Sequence, residues 1–198
     1  EKALSLDPGH VLANYQLGLT YIKMDRHEDA LEKFEKTIES DSRFPEAYFQ
    51  IGYMLAYLKR FKKAIDPLKK AINLSPNYSE AHYELGNAYS HLKQYQKAIE
   101  SLAQVVLINN LHSGAYLELG LANSKVKQYD QATIHLQKAL DLNPMLTKAY
   151  LPLGLSLIKI GRFEDASTLL AKTTPDNPDY PNIQNQLGEA YIELGNAY

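Results

Sequence analysis

The sequence predicts an all-helical array of stacked repeats, and three observations carry that expectation. Gly18, Gly52, Gly86, Gly120, Gly154 and Gly188 stand 34 residues apart. Each interval holds two runs of apolar residues at helical spacing. Prolines close the second run, at Pro8, Pro76, Pro144 and Pro178; lacking an N–H and clashing with the preceding turn, they stop a helix. A unit of this length cannot bury its apolar face alone, so neighbours must stack to complete one continuous core.

The five full windows run 11–44, 45–78, 79–112, 113–146 and 147–180, and a sixth begins over 181–198. Residues 1–10 read as the end of a preceding repeat, with Ala3, Leu4 and Leu6 falling where Ala71, Ile72 and Leu74 fall. The expectation is one array over 1–198, cut at both ends from a longer protein. In the first half of a window the stripe is Ala13, Leu17, Gly18 and Tyr21, or Ala81, Leu85, Gly86 and Tyr89. In the second half it is Ala30, Phe34 and Thr37, or Ala98, Leu102 and Val105. A short turn such as Met24-Asp25-Arg26 or Ile160-Gly161-Arg162 joins them, so each window is a pair of antiparallel helices. A mid-helix glycine costs about 1 kcal/mol relative to alanine. Accepting that cost six times in phase implies close helix approach, with each glycine expected opposite Ala98 or its equivalent. Pro67, beyond the first turn of a second helix, predicts a kink or a lost hydrogen bond. The proline-rich run from Thr173 to Asn182 predicts the weakest junction.

Composition excludes several functions. The chain has no cysteine, which removes disulfides, thiolate metal sites and a cysteine nucleophile, and suits cytoplasm, the default, and periplasm alike. A net charge of −2 gives no general attraction to phosphate backbones, so nucleic acid is a poor default partner. No apolar run approaches the roughly 20 residues of a membrane span. The six histidines never form the i, i+4 pair with an intervening glutamate that zinc proteases use, and no glycine-rich turn lies between a strand and a helix. No catalytic residue, metal site or cofactor is expected. The basic cluster Lys59, Arg60, Lys62, Lys63, Lys69 and Lys70 around Asp66 reads first as a solvated helix face, and second as a docking patch for an acidic partner or membrane surface.

The pattern Ala81, Leu85-Gly86, Tyr89, Tyr95, Ala98, Leu102 and a closing proline resembles the tetratricopeptide repeat, over essentially the whole chain. The resemblance implies a right-handed superhelical solenoid of helix pairs, the first helix of each lining a concave groove, and a non-catalytic scaffold for protein partners. The chain departs from the family pattern where Asn14, His82 and Gln184 replace the large aromatic found at Tyr48, Tyr116 and Tyr150, and where Asn123 replaces the last tyrosine of the first-helix stripe. The turn glycine remains only as Gly161 and Gly195.

A second stripe on the first helices is then directed into the groove. It holds Tyr15, Gln16, Leu19, Phe49, Gln50, Tyr53 and Tyr57, then Tyr83, Glu84, Asn87 and His91, then Leu121, Lys125, Leu155 and Lys159. This set suits an extended or helical peptide, with aromatics as anchors and Gln16, Gln50, Glu84 and Asn87 bonding its backbone. The competing view is that the same aromatics pack sideways between first helices. The carboxylate clamp of the family's chaperone-binding members is missing, since the inward places offer Tyr83 and Asn87, then Glu118, then Lys148 and Pro152. So is the asparagine ladder of its sugar-transferring relatives, whose places hold Gln16, Gln50, Glu84, Glu118, Pro152 and Gln186. Two alternatives stand beside peptide binding: self-association through exposed array ends, which concentration-dependent mass would support, and service as the substrate-recruiting arm of an enzyme whose catalytic domain lies outside this chain.

Overall fold

A computed structural model of the chain describes residues 7–173 and 179–196. Ala3, Leu4, Leu6 and Pro178, on which part of the repeat expectation rests, lie outside the described residues, as does 174–178 of the proline-rich run. Among the described residues there are α-helices and one 3-10 turn, and no strand. In chain order the helices are α1 (Val11–Lys23), α2 (His27–Ser40), α3 (Pro45–Tyr57), α4 (Phe61–Leu74), α5 (Ser79–His91), α6 (Tyr95–Ile108), α7 (Ser113–Lys125), α8 (Tyr129–Leu142), α9 (Tyr150–Lys159), α10 (Phe163–Leu170) and α11 (Tyr180–Asn196). The chain falls into two compact units, Glu1–Gln94 with α1 to α5 and Tyr95–Tyr198 with α6 to α11.

Each helix pair is joined by the same backbone device. Asp25, Lys59, Lys93, Lys127 and Gly161, one per repeat, take left-handed φ values of 60°, 58°, 59°, 63° and 77°. The next residue then donates its N–H across the helix end: Arg26 to the Tyr21 carbonyl, Arg60 to Leu55, Gln94 to Tyr89, Gln128 to Asn123 and Arg162 to Leu157, at 2.8–2.9 Å. This is the Schellman closure, which satisfies carbonyls the helix cannot satisfy itself. Helix starts are fixed locally as well. The His10 and His112 imidazoles accept from the Ala13 and Ala115 amides at 3.3 and 3.0 Å, and Pro45 occupies the first turn of α3, where its missing N–H costs nothing.

The core of the first unit joins Ala30, Leu31, Phe34, Ile51 and Met54, with Leu19 and Leu55 packed around them. That of the second joins Leu117, Leu136, Leu140, Leu153, Leu157 and Ala190. Each such leucine, fully removed from water, contributes about 1.5–3 kcal/mol. The repeat glycines fit this packing, but against a different residue from the one expected. A Cβ on Gly18 would meet Phe34 at 2.6 Å, and on Gly52, Gly120 or Gly154 it would meet Leu68, Leu136 or Leu170 at 2.5 Å. The close neighbour is thus the large apolar residue one turn beyond the Ala98-equivalent, and glycine makes room for its side chain and, at Gly52 and Gly120, for its backbone nitrogen at 3.2 and 3.1 Å.

Pro67 does not break its helix. α4 runs unbroken from Phe61 to Leu74 with the proline inside it. The Lys63 carbonyl, deprived of its usual donor, belongs to an exposed residue and can turn to water. Pro152 has more effect. Its repeat opens with a 3-10 turn, Thr147–Ala149, and α9 begins at Tyr150, so that the proline falls where N–H groups lack helical partners anyway.

The departures from the aromatic pattern also find a common use. Asn14 Nδ2 donates to the Pro8 carbonyl at 2.9 Å, His82 Nε2 bonds the Pro76 carbonyl at 2.9 Å, and the Tyr150 hydroxyl donates to the Pro144 carbonyl at 3.4 Å. Three different side chains at one repeat position tie the first helix back to the proline loop before it. Asn123 is buried at 2% exposure, donates to the Leu119 carbonyl at 2.7 Å and lies 3.3 Å from His135 Nδ1, so its amide keeps polar partners in the core.

Candidate functional site

In the first unit the first helices α1, α3 and α5 carry Gln16, Gln50 and Glu84 at the same repeat position. Between α1 and α3 lies a cavity of about 330 Å3 lined by Gln16, Leu19, Gln50 and Tyr53 together with Thr20, Ile22 and Lys23. Four residues of the predicted stripe, drawn from two repeats, are therefore brought together. Tyr53 is 39% exposed and its ring stacks on Phe49 at 5.9 Å, while Phe49 also packs against Tyr78 at 4.9 Å. Burial pushes the Tyr78 phenol well above its ordinary range, so it stays protonated.

Other members of the stripe are already engaged. The Tyr15 ring lies 5.6 Å from Phe34 and 5.0 Å from Phe44, edge-on to the latter, and packs on the core. Burial raises its phenol, an effect opposed by a hydrogen bond with Gln50. Tyr57 sits at the end of α3 with its ring 4.9 Å from His27, and His91 at the end of α5 stacks flat on Phe61 at 4.1 Å. These two pairs occupy equivalent places and fasten the end of one first helix to the start of the preceding second helix. Tyr15, Tyr57 and His91 thus lean on second helices and the loop before α3 rather than on a neighbouring first helix. Tyr57 still keeps 59% exposure, and Tyr53 is the ring that borders the cavity. On α5, Tyr83, Glu84 and Asn87 are half-buried. Burial raises the Glu84 carboxyl, and its hydrogen bond with Asn87 lowers it.

In the second unit Leu121 is half-buried and packs against the core, and Leu155 is half-buried on α9. Lys125 and Lys159 are exposed in the last turns of α7 and α9, where a cation complements the negative end of the helix. The basic cluster on α4 is solvated, with Arg60 reaching Glu28 at 3.3 Å and Lys70 lying 6.0 Å over the Tyr48 ring. His27 pairs with Asp25 at 2.8 Å, so each of the six histidines has a structural neighbour. Among the described residues no group of three His, Asp or Glu is placed to hold a metal ion, and no helix is long and apolar enough to cross a membrane.

Placing every candidate on the first helices missed a larger cleft, of about 810 Å3, between the second helices α8 and α10. One signal for it was present. Ile134 stands where the earlier repeats have Glu32, Asp66 and Glu100.

Family models described as the tetratricopeptide repeat match residues 1–32, 79–112 and 125–185, and one described as the TPR repeat matches residues 52–93. No curated protein matches in sequence. The fold is similar to a solved structure of MamA, 24% identical, which covers 82% of this chain and 88% of its own with a TM-score of 0.78. It is similar to MamA 41-end from Desulfovibrio magneticus RS-1, at 22% identity, 94% and 96% coverage and a TM-score of 0.73. It is also similar to YrrB, described as a TPR protein with an unusual peptide-binding site, at 21% identity, 98% and 96% coverage and a TM-score of 0.80. With its repeat length, its helix pairs and these four matches in agreement, the chain belongs to the tetratricopeptide repeat family.

Proposed function

We propose that this chain is a protein–protein interaction scaffold that holds a peptide against the first helices of its first unit. Members of its family are typically non-catalytic scaffolds, and a neighbour in fold, YrrB, is described as having a peptide-binding site. One observation carries the reading: the cavity between α1 and α3 is bordered by the amides of Gln16 and Gln50, at equivalent places, with the Tyr53 ring beside them. Amides spaced along adjacent helices offer both donors and acceptors to a peptide backbone, and a rigid aromatic gives a side chain an anchor at low entropic cost. Glu84, half-buried on the next first helix, extends the same row with an acceptor.

The test is a selection of short random peptides displayed on phage, made on the whole chain and scored on a Gln50→Ala/Tyr53→Ala variant. Tyr53 is exposed enough for the variant to fold, which circular dichroism checks. The expected result is a class of peptides whose affinity falls about tenfold or more, equivalent to about 1.4 kcal/mol. If every selected peptide binds the variant as well as it binds the parent, the first helices of this unit are not the binding face.

A further inference from the structure

The cleft of about 810 Å3 in the second unit is built from a change in the repeat's own charge pattern. In the first repeat the outer face of α2 carries Glu32 and, one turn on, Lys36, and these pair at 2.8 Å. The Glu32 carboxyl is held down to about 2 by its bonds from Lys36 and Lys33. The same two positions are Asp66 and Lys70 in the second repeat, but Ile134 and Lys138 in the fourth and Thr168 and Lys172 in the fifth. The third repeat keeps the acid, Glu100, but has Gln104 in place of the lysine; the fourth and fifth keep the lysine and lose the acid one turn before it. Both of these lysines border the cleft, and among the described residues neither has an ion-pair partner.

The cleft lining holds three cations, Lys138, Arg162 and Lys172, against two carboxylates, Asp141 and Asp165, so an excess of positive charge faces it although Asp141 keeps its own negative charge. Arg162 pairs with Asp165 at 2.6 Å, and Asp141 accepts from Gln137 Nε2 at 2.9 Å. His135 is half-buried beside the Tyr116 ring, and burial pushes its imidazole below the ordinary histidine range. The apolar part is Val106, Leu157 and Leu169, with Ile134 left 58% exposed at the rim. Along α8 the bordering residues Ile134, Gln137, Lys138 and Asp141 run for about two helical turns, or about 10 Å. That is an elongated groove, of the kind an amphipathic segment occupies with its apolar face inward.

We infer that the cleft between α8 and α10 is a second docking site, for an acidic amphipathic segment of a partner protein. Its carboxylates take the places vacated by the lost Glu32 equivalents and pair with Lys138 and Lys172, while an aliphatic or aromatic side chain packs on Ile134 and Leu169. The site is separate from the α1 and α3 cavity and does not depend on it.

The same displayed peptides, selected on the whole chain, test it with different variants. Ile134→Glu/Lys138→Glu alters two exposed side chains, and Lys172→Glu alters one more without touching α8; circular dichroism checks both folds. The expected result is a class of peptides with carboxylates flanking an apolar anchor. Their affinity falls about tenfold or more in the double variant and by a smaller factor in Lys172→Glu. It also weakens with added salt, as charge pairing near a surface does, and is unchanged in Gln50→Ala/Tyr53→Ala. A selected pool containing no acidic peptide weakened by the cleft variants overturns the inference, as does a pool in which the peptides so weakened are basic.

Discussion

Asp25, Lys59, Lys93 and Lys127 hold a backbone conformation that an L-residue enters at a cost of about 1–2 kcal/mol and that glycine enters freely. Only the fifth repeat places glycine there, at Gly161. Replacing Lys59 or Lys127 by glycine is therefore expected to raise stability by about 0.5–1 kcal/mol each, the relief of strain being partly offset by the greater freedom of an unfolded glycine. Urea denaturation measures it, and a fall in the midpoint for both variants would mean that the lysine side chains contribute more than the strain costs. These turns explain why the sequence was only half legible at this scale. Gly161 marked one turn, whereas Gly195, read as its equivalent, lies inside α11. Lysine and aspartate carry no mark of a left-handed φ, so the recurrence of one backbone state in five repeats stayed hidden behind changing residue types. Asn14 and His82 teach the same lesson from the other side. They look like departures because the side chains differ, yet each delivers a polar atom to the carbonyl of the preceding proline, as the aromatic Tyr150 does at the same repeat position.

The helix pair depends on the space that its glycine leaves. A methyl group on Gly52 would lie 2.5 Å from Leu68 Cγ and 3.2 Å from the Leu68 amide nitrogen, and neither the branch point of a buried leucine nor a helical backbone can move aside cheaply. Gly52→Ala is expected to destabilise the chain by about 2–3 kcal/mol despite alanine's better helix propensity, seen as a lowered urea midpoint. Gly188, the equivalent residue of α11, has nothing among the described residues within 4 Å of that position. There the propensity gain stands alone, and Gly188→Ala is expected to slow amide exchange in α11 about fivefold, corresponding to about 1 kcal/mol. Equal effects at the two sites would show that close packing is not what the glycine serves. At this scale the periodicity announced both helices of each pair, because a stripe of buried residues leaves a mark on every third or fourth position. The facing residue was misread as Ala98 or its equivalent because spacing along one helix says nothing of the register between two. At Pro67 the lost hydrogen bond follows as expected while the helix runs on: a proline on an exposed stretch leaves its orphaned carbonyl to water, and burial is invisible until the helix is placed.

Stacked repeats are stabilised by their neighbours, so local stability follows how many faces of a helix are covered. The candidate sites show how far the sequence could resolve this. A stripe of alternating amides and rings pointed to the first helices, but only packing separates Tyr53, which keeps exposed ring area, from Tyr15, which spends its ring on Phe34 and Phe44. The cleft at Ile134 escaped because one apolar residue on an outer face is common, and it stands out only beside Lys138 and Lys172, which have no ion-pair partner among the described residues. Covering also ranks the helices by stability. α7 buries Ala115, Leu117, Leu119, Gly120, Ala122 and Asn123, and α8 buries Ala132, Leu136, Ala139 and Leu140. α11 buries Ile183 and Ala190 but leaves Tyr191 and Ile192 at 56% and 64% exposure. Less apolar area removed from water means a lower free energy of local opening. Native-state hydrogen exchange read by mass spectrometry is therefore expected to show peptides from α11 exchanging well before those from α7 and α8, through an opening that leaves the latter protected. Uniform exchange across all three would mean that α11 opens only with the whole unit, its Ile183 and Ala190 contacts then being enough to bind it to a single cooperative transition.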